Sequence, residues 1–136
     1  MTKEKKKFQQ LTSENICNIY KLLYKEGLVS FPVEECVTNK IEALISSVNS
    51  VYFGKDIYPS HGEKAVAHLY FIIKDHIFVD GNKRTACLSF SVLCELNDLN
   101  PKYKNFTLDE LAVLLEDYKG KNHQVLIKEV AKLLFN

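Results

Sequence analysis

The sequence of 136 residues is long enough for one domain with its own hydrophobic core, and its 46% hydrophobic and 26% charged residues exclude a disordered or fibrous chain. Its 18 Lys and Arg residues balance 17 Asp and Glu residues, so the composition gives no reason to expect direct nucleic-acid binding. No apolar run approaches the roughly 20 residues that cross a bilayer, and no signal peptide is evident. We therefore expect a soluble cytoplasmic protein with no membrane partner.

In chain order, residues 1–10 are predicted to be a basic, flexible lead-in, and residues 11–136 to form a single domain. Apolar residues recur at helical spacing from Leu11 to Glu26, where Gly27 supplies a stop. The same spacing over Val37 to Val48 predicts a second helix.

A short β-hairpin is predicted next, because β-forming residues flank a turn that contains glycine. Its strands are Val51–Phe53 and Ile57–Tyr58, and its turn is Gly54–Asp56. A hairpin this short is marginal on its own, so we expect a flap that lies on the rest of the domain. An irregular loop between helices is the alternative.

Two strongly apolar helices follow the hairpin. Ser60 begins the third helix, with Glu63 as its partner in a capping box, and the fourth helix runs from about Asn82 to Leu96. Both are apolar nearly all round, which is typical of helices in the middle of a bundle. Two further helices, one after Thr107 and one over Val125 to Leu134, complete an all-α domain.

The four cysteines and four histidines lack the spacing of a metal site. Without a secretion signal, the cysteines also give little reason to expect disulfides. Cys87 and Cys94 lie seven residues apart, so we expect them on one helix face as small buried side chains.

The densest group of reactive side chains lies between the two central helices, at residues 76–85. Gly81 and Asn82 can turn the main chain so that N–H groups point outwards at the positively polarised start of the fourth helix. Lys83 and Arg84 add positive charge, so this segment is a candidate phosphate-binding site.

Three further residues of this loop suggest an active site. The imidazole of His76 is a candidate general base, while Asp80 offers carboxylate oxygens to Mg²⁺. Phe78 is predicted to anchor the loop in the core. Taken singly, each feature has a structural alternative: a His that caps a helix, an Asp-Gly-Asn turn, and a Lys-Arg pair on the surface.

The segment from His76 to Arg84 resembles the signature of the Fic/Doc (Fido) family, H-x-F-x-[DE]-G-N-G-R. The positions that match are His76, Phe78, Asp80, Gly81, Asn82 and Arg84. The resemblance extends over about Ile41 to Leu115. It implies an all-α, Fic/Doc-type helical bundle with the hairpin as a short flap over the active site.

The resemblance also implies roles for individual residues. His76 would be the general base and Asp80 the Mg²⁺ ligand. The phosphates of the donor, ATP or another nucleoside triphosphate, would be held by Gly81, Asn82 and Arg84. The target protein would present a Ser, Thr or Tyr hydroxyl on an extended segment. The flap residues that would dock this segment are Phe53, Gly54, Ile57 and Tyr58.

Two positions depart from the adenylyl-transferring members of the family. Lys83 stands in place of a second Gly, and Cys87 in place of a second Arg. These departures are similar to the death-on-curing (Doc) toxin branch, which transfers the terminal phosphoryl group. The resemblance thus implies a phosphotransferase with Lys83 in its nucleotide site, an elongation factor Tu-like target and an antitoxin-like inhibitor. The alternatives are a Fic-type protein adenylyltransferase and a catalytically idle binding module.

Overall fold

A computed structural model describes residues 6–34 and 37–136. In this part of the chain it contains six helices and one two-stranded antiparallel hairpin. In chain order these are α1 (Ser13–Lys25), α2 (Val37–Val48), β1 (Val51–Tyr52), β2 (Lys55–Asp56), α3 (His61–Lys74), α4 (Asn82–Leu96), α5 (Leu108–Asp117) and α6 (His123–Phe135). The predicted all-α fold with a small hairpin is confirmed. None of the helices described is long and apolar enough to cross a membrane.

Helices α3 and α4 form the centre of the bundle. Helix α3 contacts α2, α4, α5 and α6, while α1 packs against α2 and α4. In α3, side chains such as Leu69 and Ile72 are fully buried, and each burial contributes roughly 1.5–3 kcal/mol. The prediction that α4 is apolar nearly all round is wrong, because α4 buries one face around Phe90 and exposes Arg84 and Ser91.

Side-chain caps fix where the helices begin. The Thr12 hydroxyl accepts a hydrogen bond from Asn15 N–H at the start of α1, and the Asn15 side chain returns the contact. Ser60 caps α3 by accepting from Glu63 N–H at 3.0 Å. The predicted capping box is only half formed, because Glu63 Oε2 is buried without a hydrogen-bond partner among the described residues.

The hairpin has a different register from the one predicted. Val51 pairs with Asp56 and Tyr52 with Lys55, so the turn is Phe53–Gly54. Both turn residues have positive φ angles, 49° and 75°, as a tight two-residue hairpin turn requires. The second strand therefore ends before Ile57–Tyr58, where the sequence placed it.

The end of the predicted lead-in packs on the domain. Gln9 N–H donates to Asn97 Oδ1 at 2.7 Å, and Asn97 Nδ2 donates back to Gln9 C=O at 3.0 Å. The Phe8 ring lies beside the rings of His61 and His68. Residues 1–5 lie outside the described residues. Residues 8–10 therefore share contacts with the helical bundle.

Burial disfavours the thiolate form of both cysteines of α4. Cys94 is buried and Cys87 is half-buried. Burial raises the pKa of Cys94 to about 12 and is the main cause that raises the pKa of Cys87 to about 11. Cys36 lies outside the described residues.

Candidate active site

The loop between α3 and α4 lines a cleft of about 280 Å³ at the start of α4. The residues around it are His76, Val79, Asp80, Gly81, Asn82, Lys83, Arg84 and Glu116. The structure therefore brings together the six polar and glycine residues that the sequence assigned to the loop site. Phe78 and the hairpin residues do not line this cleft.

Gly81 shapes the cleft by turning the chain into α4. It is the N-cap residue, in the left-handed conformation with φ +76°. A Cβ at this position would lie 2.1 Å from Cγ1 of Val29, so a side chain is excluded by both the backbone angle and the packing.

The start of α4 offers main-chain donors to an anion. No side chain among the described residues caps this end. The N–H groups of the first turn, Asn82 to Arg84, therefore have no partner within the helix, and the helix dipole makes them attractive to phosphate. This arrangement follows from a glycine at the N-cap, because glycine has no side chain to occupy these donors.

The Asn82 side chain holds the loop in shape. Its Oδ1 accepts from Phe78 N–H at 2.9 Å, and its Nδ2 donates to Phe78 C=O at 2.8 Å. Phe78 is 4% exposed, and its ring stacks on that of Tyr20 in α1. The side-chain amide of Asn82 is thus engaged with the main chain of Phe78. For the predicted phosphate binding, Asn82 can therefore offer only its main-chain N–H.

His76 is exposed at the rim of the cleft and has a left-handed backbone, with φ 46°. This conformation is costly for a residue with a side chain and persists only where its surroundings impose it. Here the preceding residue, Asp75, ends α3 by donating its N–H to Phe71 C=O, and the following residues Ile77 and Phe78 are buried. The fold therefore fixes His76 from both sides.

Asp80 carries a carboxylate that is exposed at the cleft. Its Oδ2 accepts a hydrogen bond from Ser30 N–H at 3.3 Å. No group of three or more His, Cys, Asp or Glu side chains in the described ranges could hold a metal by itself. A lone carboxylate fits Mg²⁺ that is shared with phosphate oxygens, since Mg²⁺ keeps most of its ligands from water and substrate.

The two cations of the cleft have different surroundings. The Lys83 ammonium pairs with both carboxylate oxygens of Glu116 in α5, at 2.9 and 3.0 Å. Arg84 is exposed and makes no ion pair with the described residues. Arg84 is therefore available to an anion as it stands, whereas Lys83 must first leave a carboxylate.

An apolar cleft of about 570 Å³ adjoins this site between α1, α4 and α5. Lys83 and Arg84 line both clefts. The apolar residues around the second cleft include Leu23, Leu28, Leu88, Ala112 and Val113. Cys87 also lines this second cleft, whereas His76 and Asp80 do not.

The four predicted docking residues differ in their exposure to solvent. Phe53 is 86% exposed at the turn, next to Gly54. Tyr58 is 2% exposed and belongs to the core, so it cannot contact a docked segment. Ile57 is half-buried and donates its N–H to Ser50 C=O at 3.0 Å. The assignment of Tyr58 to docking is therefore wrong, because its ring is needed for packing.

Several residues of the site were missed by the sequence analysis. Glu116, Ser30, Val29 and Tyr20 all contact or constrain the loop. Each lies more than thirty residues from its partner, and no local pattern marks Glu116, Ser30 or Val29. Only Tyr20 gave a signal, as an apolar position on the inner face of α1.

Comparisons with known proteins found one matching family and a similar curated protein. A family model described as Fic/DOC family matches residues 10–94. A curated protein named Toxin Doc, from Mycolicibacterium smegmatis (strain ATCC 700084 / mc(2)155), is 39% identical over 46 residues. That match covers 34% of the chain and spans only 35% of the length of the toxin. No solved structure is significantly similar to the chain.

Proposed function

The chain belongs to the Fic/DOC family, and on this premise we propose that it is a toxin-type transferase that moves the terminal phosphoryl group of a nucleoside triphosphate to a hydroxyl of a target protein. The observation that carries the proposal is the cleft at the start of α4, where His76, Asp80 and Arg84 surround one space. A base, a metal-binding carboxylate and anion-binding groups suit phosphoryl transfer, which depends on positioning and electrostatics.

His76 is the proposed general base. The hydroxyl oxygen of the target forms a bond to the terminal phosphorus, and the bond from this phosphorus to the bridging oxygen breaks. The nucleoside diphosphate leaves with the bonding electron pair, and the hydroxyl proton passes to a ring nitrogen of His76. The exposed position of His76 at the cleft supports this role, because the base must reach the incoming hydroxyl.

The phosphates are proposed to lie against the start of α4. There they would accept hydrogen bonds from the uncapped N–H groups and from the guanidinium of Arg84. Asp80 would hold Mg²⁺, which when bound with the donor neutralises phosphate charge. The rigid loop, held by Asn82 and Phe78, would keep these groups in place during transfer.

The adjoining apolar cleft supports phosphoryl rather than adenylyl transfer. We propose that it holds the base of the nucleotide, since its lining is mostly apolar and it opens directly beside Lys83 and Arg84. His76 lines only the first cleft, whereas Lys83 and Arg84 line both. A nucleotide bound in this direction would present its terminal phosphate, rather than its first, to His76.

The target is proposed to be a protein with a Ser, Thr or Tyr hydroxyl, of the elongation factor Tu class by family resemblance. The exposed hairpin, with Phe53 at its turn, is the proposed docking edge, because the outer edge of a two-stranded sheet can accept a further strand. An antitoxin-like protein is the proposed inhibitor, in keeping with the toxin that the chain resembles.

The proposal is tested by incubating the protein with Mg²⁺ and ATP labelled at either the α or the γ phosphorus, together with purified elongation factor Tu or cell lysate. Transfer of the γ label alone supports a phosphotransferase. Transfer of the α label identifies an adenylyltransferase instead. Labelling of no protein, with nucleotide binding retained, would indicate the idle binding module. His76→Ala serves as the inactive control.

A further inference from the structure

Glu116, which lies outside the loop motif, forms an ion pair with one of the two cations of the cleft. Glu116 Oε1 and Oε2 lie 3.0 and 2.9 Å from Lys83 Nζ. The two side chains are 39% and 42% exposed, so both can be reached from solvent. Glu116 also lines the cleft itself, beside the loop residues.

The fold places Glu116 there through its main chain. Lys74, at the end of α3, donates its ammonium to Glu116 C=O at 2.8 Å and to Tyr118 C=O at 2.6 Å. These carbonyls lie at the end of α5, where a helix lacks internal donors and favours a cation. Lys74 thus fixes the end of α5, from which the Glu116 carboxylate extends to Lys83.

The charges of the cleft are balanced because of this residue. Lys83 and Arg84 contribute two positive charges, while Asp80 and Glu116 contribute two negative charges. A nucleoside triphosphate is strongly anionic. A carboxylate beside its binding site therefore repels the phosphates and competes with them for the Lys83 ammonium.

We propose that Glu116 competes with the phosphates of the donor for Lys83 and so sets the affinity of the cleft for nucleotide. This inference rests on the proposed function, in which the cleft binds nucleotide phosphates. An exposed ion pair is weak, so the phosphates can displace the carboxylate and take Lys83. The competition then appears as weaker nucleotide binding than the two cations alone would give.

The test compares the affinity of parent and Glu116→Gln proteins for Mg²⁺–ATP and for AMP by calorimetry. The variant keeps the contact to Lys74, since that hydrogen bond is made by the main chain. We expect Glu116→Gln to bind ATP about three- to tenfold more tightly, and AMP with a smaller gain. Asp117→Asn removes the same charge from the neighbouring exposed residue and should change ATP affinity less than about twofold.

The same substitution in a Lys83→Met background separates competition from a general charge effect. There Glu116→Gln should give less than about a twofold gain, because no ammonium is left to release. Equal or weaker ATP binding by Glu116→Gln, or a full gain without Lys83, overturns the inference. If parent and variant bind ATP equally, the proposed function still stands. If neither binds ATP, the proposed function fails as well. Binding by the variant alone supports the inference.

Discussion

The ring of Phe78 stacks on the ring of Tyr20 with centroids 4.2 Å apart and planes inclined by 9°. The Tyr20 hydroxyl donates to Phe31 C=O, so one α1 side chain contacts both the active-site loop and the segment after α1. Two consequences follow from this contact. The loop is held from the core side, and the groups at the cleft are positioned by packing rather than by a ligand.

Truncation of Phe78 should therefore affect both stability and function. We expect Phe78→Ala to lower the free energy of unfolding by about 3–5 kcal/mol, because it leaves a cavity under the loop. Phe53→Ala is the matched control, since Phe53 is 86% exposed, and should change it by less than about 0.5 kcal/mol. Urea denaturation measures both variants, and equal losses would contradict the anchoring role.

Gly81 and Gly54 share the same backbone angle but differ in their surroundings. Gly54→Ala should cost about 1–2 kcal/mol through backbone strain alone, because nothing lies within 4 Å of its Cβ position. Gly81→Ala adds a clash with Val29 and should cost clearly more, with loss of nucleotide binding as α4 shifts. Thermal unfolding and calorimetry with ATP test this, and similar behaviour of the two variants would argue against it.

His76→Asn should slow transfer strongly while preserving fold and nucleotide affinity. Asn tolerates the left-handed backbone that residue 76 adopts, so the loop is retained. It cannot act as a base, and the transfer rate should fall by about 10²–10⁴. The comparison of γ-label transfer with ATP affinity checks both parts. Undiminished transfer would remove His76 from the mechanism.

His68 should make the fold sensitive to acid. Its Nδ1–H donates to Lys64 C=O and its Nε2 accepts from Gln10 Nε2, so the buried ring is neutral. Burial lowers its pKa from 6.5 to about 4. Between these pH values only the unfolded state binds the proton, so stability falls as pH drops through this window, by about 3 kcal/mol in total.

The measurement is urea denaturation of the parent and His68→Gln at intervals from pH 7 to pH 4. The variant lacks the titrating ring, so its stability should fall less steeply over the same range. Parallel pH profiles would show that His68 does not account for the acid sensitivity.

Features set by neighbouring residues were predictable from the sequence. The helices follow from apolar spacing, and the loop from His76 to Arg84 is continuous in the chain, so its residues are together before any folding. The predicted register of the hairpin was wrong. Short strands carry little sequence pattern, and the left-handed backbone at Phe53 could not be seen in the sequence.

Contacts between distant segments were decided only by the tertiary structure. The sequence supplied Lys83 as a cation for phosphate, but the end of α5 brought Glu116 to it across 33 residues. It supplied Gly81 as a turn residue, but the packing of Val29 made that glycine obligatory. Charge and shape at such a site depend on side chains from several helices, and their meeting is determined by how the helices pack, which no local pattern records.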